Sequence, residues 1–367
     1  MSEHFPCALL RVDFMSIKSP ASDLENWGWN SFFDDQWAHD RDAIPVRVVE
    51  VHRSGIRVVG PQIDEHIQRF SSITDDEETV ATVGDWLLLD AQTKKPKRLL
   101  QRRSLFQRRA PGKARKLQLI AANIDTLFIV TSCNQDFNTA RLERYLALAR
   151  EADVRPVIIL TKADLTSEPE QYLIAAANLA DDLLVEIVDA RDPGSVAGLA
   201  RWCGPGQTVA LVGSSGVGKS TLVNTLSGTD RAAIGDIRSG DDKGRHTTSG
   251  RTFHQLPSGG WLIDTPGIRE LQLTDVSDGL EEVFADIVEL AAGCRFNDCS
   301  HEGEPGCQIQ AAIADGVLPL SRLKNWRKLA AEERYNNASL SERHTKNRAF
   351  TKMVKRATKH KKSGELD

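Results

Sequence analysis

Glycines at 213, 216 and 218, followed by Lys219 and Ser220-Thr221, stand between an apolar β-prone run, TVALV, and a helix-like run, LVNTL. A strand that turns through several glycines straight into a helix belongs to a narrow set of α/β architectures, in which the turn wraps a phosphate group. The glycines let backbone N–H groups face an anion, and the N-terminal dipole of the following helix points at the same place. In Gly213-Ser214-Ser215-Gly216-Val217-Gly218-Lys219-Ser220-Thr221, Lys219 supplies charge to the β- and γ-phosphate oxygens and Ser220 offers a hydroxyl to Mg²⁺. A nucleoside triphosphate is the expected ligand.

The base is read elsewhere. The strand-like RPVIIL ends in Thr161-Lys162-Ala163-Asp164, whose carboxylate has the acceptors for the N1–H and N2–H₂ donors of guanine. Adenine lacks that donor pair. Lys162 is expected to lay its stem along the purine and Thr161 to brace the phosphate loop by hydrogen bonding. Val188-Asp189-Ala190 is the candidate for the loop that meets guanine O6. The run WLID leads into Asp264-Thr265-Pro266-Gly267, in which Asp264 is expected to hold the Mg²⁺ water shell and the Gly267 N–H to meet the γ-phosphate. Ile268 follows, where many GTPases place a water-orienting Gln. The stretch Gly244-Arg245-His246-Thr247-Thr248-Ser249 falls where a mobile first switch belongs, so Thr248, or Thr247, is the expected Mg²⁺ ligand and His246 the candidate for positioning water. Gly216 occupies the position where potassium-activated GTPases carry Asn, which argues against potassium dependence. The guanine-reading segment precedes the phosphate loop, a circularly permuted order.

Outside this core, short alternating segments from Ile44 (VRVVEV, GIRVVG, TVATV, DWLLLD) predict a small OB-like barrel. Strands alternating with amphipathic helices after Pro111-Gly112 predict a parallel α/β domain; Leu142, Tyr145, Leu146 and Ala149 form a core-facing stripe on one such helix. The resulting division is an N-terminal extension (1–42), a barrel (43–112), a permuted P-loop GTPase domain (113–275), a mostly helical unit (276–335) and a basic tail (336–367). The net charge of −4 conceals two blocks: 11 Lys+Arg without an acid between Lys94 and Lys116, and 14 Lys+Arg against 3 acids from Arg322 to Lys362. Such blocks predict contact with a polyanion such as RNA. Cys294, Cys299, His301 and Cys307 offer three thiolates and an imidazole at the spacing of a closed, structural zinc site. Cys7, Cys133 and Cys203 stand alone and receive no role. With no secretory signal at the N-terminus and no apolar run near the roughly 20 residues of a membrane helix, a cytoplasmic chain with reduced cysteines and no membrane partner is expected.

The order TKxD, P-loop, GRHTT, DxxG, then CxxxxCxHxxxxxC resembles the ribosome-small-subunit-dependent GTPase family, known as RsgA or YjeQ. VGDWLLLD, RRSLFQRR, ANIDTLFIVTS and RLERYLALA also match, and the likeness runs from about Ile44 to about Leu329. The resemblance implies an OB domain, a circularly permuted GTPase domain and a zinc-binding C-terminal domain. It implies late assembly of the 30S subunit on 16S rRNA, with hydrolysis of GTP to GDP stimulated by that particle, and a monomer is expected. It further implies Ile268 as a hydrophobic replacement for Gln and His246 as a catalytic residue. Two other readings follow from the residues: a nucleotide-gated binder of tRNA or mRNA with slow hydrolysis, and a P-loop ATPase or kinase, which Asp164 disfavours.

Overall fold

The computed structural model describes residues 24–52, 54–60, 63–68, 80–109, 117–228, 251–264 and 276–337. Its centre is the sheet expected of the α/β region. The strands are β8 (Thr126–Ser132), β9 (Arg155–Thr161), β10 (Leu184–Ile187), β11 (Thr208–Val212), β12 (Arg251–Gln255) and β13 (Trp261–Asp264), in the order β10-β9-β8-β11-β13-β12. The first five of these in spatial order are parallel, and β12 closes the edge antiparallel to β13. Every residue of β8 is buried, as a parallel strand covered on both faces requires. Helix α2 (Thr139–Glu151) follows β8, with Leu142, Tyr145, Leu146 and Ala149 all buried in its core face. Helices α3 (Pro169–Ala177) and α4 (Lys219–Ser227) follow β9 and β11.

The barrel region places β1 (Ile44–Val51) between β2 (Ile56–Gly60), which continues to β3 (Ile63–Ile67), and β4 (Trp86–Leu89), which continues to β5 (Pro96–Leu99). All are antiparallel, and β1 and β4 are buried along most or all of their length. The second edge of β1 is shared: residues 44–47 pair with β4, whereas Glu50 and Val51 pair with Thr252 and Arg251 of β12. One sheet thus runs from the nucleotide-binding core into the barrel. A separate hairpin joins β6 (Leu105–Arg109) to β7 (Leu117–Ala122), so it spans the boundary that composition placed at residue 112.

Residues 24–43, aperiodic in sequence, form helix α1 (Ser31–Trp37) and an aromatic cluster in which Trp29 and Phe33 pack on Trp86, while Trp27 stacks on Trp261 at 4.3 Å. Arg47 of β1 lies beneath them, 1% exposed. It donates to the carbonyls of Trp27, Gly84 and Asn123 and to Thr208 Oγ1, and its guanidinium lies 4.6 Å from the Phe253 ring. Barrel, N-terminal segment and core meet on this one side chain.

The C-terminal unit comprises α5 (Ser277–Val283), α6 (Ala285–Ala292), α7 (Gln308–Ala314) and α8 (Leu320–Asn337). It is fixed to α2. Glu143, buried in that helix, accepts from Arg322 at 3.0 Å and Asn325 at 2.8 Å of α8, and Arg144 pairs with Glu332. Burial pushes the Glu143 carboxyl up to about 6 even against the opposing pull of Arg322.

Four described members of the first basic block are paired with acids. Arg102 makes a two-pronged pair with buried Asp85, Lys97 and Arg98 share Asp40, and Arg103 pairs with Asp125. These acids lie outside the block in sequence, so the charge count along the chain could not register them. No helix among the described residues is long and apolar enough to cross a membrane.

Candidate nucleotide and metal sites

The C-terminal ends of β9, β10, β11 and β13 deliver all the described nucleotide motifs to one edge of the sheet, the edge at which parallel α/β proteins bind ligands. After β11, Gly213, Gly216 and Gly218 take φ of 142°, 81° and 97°. A Cβ on Gly213 would lie 2.1 Å from the Val130 carbonyl oxygen, so glycine is needed there for space as well as for backbone angle. Gly218 is the N-cap of α4, and Lys219, Ser220 and Thr221 form its first turn. The Lys219 side chain is buried beneath the loop, its Nζ donating to the carbonyls of Gly213, at 2.8 Å, and Ser214.

The guanine-reading segment is tied to that loop. Fully buried Thr161 lies 2.6 Å from the Val217 carbonyl and 3.1 Å from that of Thr131, and its single proton favours the shorter contact. Lys162, held at φ 57°, reaches from β9 across to the Gly216 carbonyl at 2.7 Å. Its stem therefore bridges the two motifs that a bound purine nucleotide would join. Asp164 faces Arg191, whose guanidinium bonds it at 3.1 Å and also bonds Asp189, holding the Asp189 carboxyl below its ordinary range. Val188 and Ala190 are buried, and the Ala190 carbonyl accepts from Thr225 of α4 at 2.6 Å. Arg191 was not singled out from the sequence; the arginine directly after Val188-Asp189-Ala190 was the available signal.

Asp264 ends β13, its backbone opposite Thr252. His246, Thr247, Thr248, Gly267 and Ile268 lie outside the described residues. So does Cys7. Cys133 and Cys203 are buried, and burial pushes the Cys203 thiol up to about 12, consistent with inert core cysteines.

The second cluster lies in the C-terminal unit. The ligand atoms of Cys294, Cys299, His301 and Cys307 all fall within 4.8 Å of one another. Cys294 and Cys307 sulfurs are 3.9 Å apart, and each lies 3.6 Å from His301 Nδ1. Sulfurs about 2.3 Å and a nitrogen about 2.0 Å from a tetrahedral ion lie roughly 3.5–3.8 Å from one another, so these residues fit such an ion. His301 takes a left-handed φ of 61°, and Gln310 donates to its carbonyl from α7.

The RsgA GTPase family profile matches residues 99–274. The Small ribosomal subunit biogenesis GTPase RsgA of Mesorhizobium japonicum is 49% identical over 332 residues, which span 89% of this chain and 93% of that protein. The chain belongs to the RsgA GTPase family. RsgA 2 of Vibrio vulnificus is 47% identical, over 90% of this chain and 94% of its own length. The crystal structure of YloQ, described as a circularly permuted GTPase, superposes with a TM-score of 0.55 over 82% of this chain and 98% of its own, at 23% identity. At that identity the likeness concerns the fold, and it agrees with a barrel, a permuted α/β core and a C-terminal Cys/His unit.

Proposed function

We infer that this RsgA-family chain hydrolyses GTP to GDP and phosphate in the biogenesis of the small ribosomal subunit. The observation that carries the reading is the cross-bracing of a guanine-type turn, Thr161 to Asp164, onto a complete P-loop in permuted order, in a chain nearly half identical to relatives named for that role. Asp164 reads the N1–H and N2–H₂ of guanine, exchanging its bond to Arg191 for bonds to the base. Lys162 covers one face of the purine. Backbone N–H groups from Ser214 to Thr221 surround the β-phosphate, and Lys219, already held at the loop by two carbonyls, needs little reorganisation to meet the β- and γ-oxygens. Ser220 and Thr248 would hold the magnesium brought with GTP and Asp264 its water, and the ion would supply positive charge to those oxygens. Gly267 senses the γ-phosphate, and His246 orients the attacking water where Ile268 has no polar group to do so.

Zinc is the ion proposed for Cys294, Cys299, His301 and Cys307. Four protein ligands leave no open position, so its role is to brace a unit with a small apolar core. The domain division at 43, 113, 276 and 336 is proposed as the functional one, with the hairpin across residue 112 serving the barrel. The 30S subunit and its 16S rRNA are the proposed partners of a monomeric, cytoplasmic protein, contacted by the barrel and by the basic C-terminal block. The base specificity is tested by steady-state turnover of GTP and ATP by the purified chain with Mg²⁺. GTP is expected to be preferred strongly, and equal or faster ATP turnover would remove Asp164 from its role.

A further inference from the structure

A second cation meets the phosphate loop from outside the motif. Arg141, in the first turn of α2, places its guanidinium on the Ser214 hydroxyl, the same residue whose carbonyl accepts from Lys219 Nζ. The lysine of a P-loop reaches the β- and γ-phosphates, so its contacts at Gly213 and Ser214 mark the γ end of the loop, away from the start of α4. Two positive groups therefore converge on the residue beside which the outermost phosphate sits. Asp136 pairs with Arg141 through a carboxylate oxygen at 3.9 Å and, more closely, through its carbonyl at 3.3 Å. That carbonyl orients the guanidinium, and the carboxylate, at the long end of ion-pair distance, offsets its charge only in part.

The backbone beneath Arg141 is held fast. Asn138 caps α2 by accepting from the Arg141 N–H at 2.9 Å, and the next turns are packed into the core and clamped to α8 through Glu143 and Arg144. A planar guanidinium has donors enough to keep the Ser214 hydroxyl and still address a phosphate oxygen, which a lysine ammonium does with less geometric definition. We propose that Arg141 contacts the γ-phosphate of GTP, discriminating GTP from GDP and stabilising charge on the terminal phosphoryl group during hydrolysis. The stretch RLERYLALA that it opens gave it no role in the sequence; the α2 fold brings it to the loop.

The inference rests on GTP being the nucleotide, and the test separates the two. Full-length wild type, R141A and R141K are titrated with fluorescent GDP and a fluorescent non-hydrolysable GTP analogue, and single-turnover GTP hydrolysis is followed in parallel. Loss of one charge-assisted contact predicts roughly 10- to 100-fold weaker analogue binding by R141A, with GDP binding within about threefold and slowed hydrolysis. R141K is expected to recover part of the analogue affinity and to lag in the hydrolysis rate. Should R141A fail to fold by circular dichroism, R141K against wild type carries the same comparison. Equal weakening of GDP and analogue would overturn the proposal, since an arginine that merely shapes the loop through Ser214 affects both. So would unchanged analogue affinity. Failure of the wild type to bind either guanine nucleotide would instead refute the reading of function.

Discussion

Replacing Arg47 by methionine removes the one guanidinium on which barrel, N-terminal segment and nucleotide-binding core converge. Methionine fills most of the volume, so the effect isolates polarity. Burial draws the Arg47 pKa down to about 10, leaving the group charged at neutral pH. Of its four acceptors, the Gly84 carbonyl keeps a donor in Asn123 Nδ2 at 3.0 Å and the Thr208 hydroxyl can rotate, but the buried Asn123 carbonyl and the half-buried Trp27 carbonyl lose the Arg47 donor. Each orphaned carbonyl costs about 1–3 kcal/mol. Relief from desolvating a charge offsets part of this, since a buried ion itself costs several kcal/mol. The net expected is about 2–4 kcal/mol of destabilisation, read as a lower urea midpoint by fluorescence of Trp27, Trp29 and Trp86 near the site. Because β1 pairs with β12, the variant is also expected to weaken coupling between barrel and nucleotide, seen as less nucleotide-dependent hydrogen-exchange protection in residues 44–51. A variant as stable as wild type, with protection unchanged, would refute the reasoning and class Arg47 with buried charges that apolar residues replace at no loss.

Thr161→Val keeps shape but removes the hydroxyl that donates to the Val217 carbonyl, so nucleotide affinity should fall about tenfold by equilibrium titration, for GDP and GTP analogues alike. Cys307→Ser should lower the bound metal measured by mass spectrometry from one zinc per chain and depress the thermal midpoint, with α7 losing the sulfur that accepts from Gln310 N at 3.5 Å. Glu143 has a folded pKa raised from 4.5 to about 6, so the folded state binds more protons across that window and wild-type stability should fall as pH rises through it, by up to about 2 kcal/mol. Glu143→Gln should abolish that slope in urea titrations between pH 4 and pH 7, values that bracket the window.

What the sequence revealed most clearly was local chemistry with strict backbone demands. A phosphate loop needs glycine at Gly213 because a neighbouring strand leaves no room for a Cβ, and that need is visible without coordinates. The same holds for the spacing of Cys294, Cys299, His301 and Cys307, and for the core stripe on α2. Features set by distant partners were hidden. The block from Lys94 to Lys116 predicted contact with a polyanion, and its count along the chain could not show that Asp40, Asp85 and Asp125 pair with several of its described members from elsewhere. Residues 24–43 had no period to read because their tryptophans pack singly against Trp86 and Trp261 and not along one face of a long helix. The β6–β7 pairing across residue 112 was not legible because composition does not report which strands pair. Arg141 and Arg191 carried no assigned role for the same reason: each acquires its place through the loop it meets, not through its own stretch of sequence.

The pairing of β1 with β12 and the clamp of α2 onto α8 bind the nucleotide site to both flanking units, which gives the proposed ribosomal partner two routes to the P-loop. The central claim, that this is a GTPase of small-subunit biogenesis, is met most directly by the steady-state GTP turnover of the purified chain as 30S subunits are added. The account predicts a rate that climbs with subunit concentration to a plateau, with 50S subunits having no such effect. A rate indifferent to 30S subunits would contradict it.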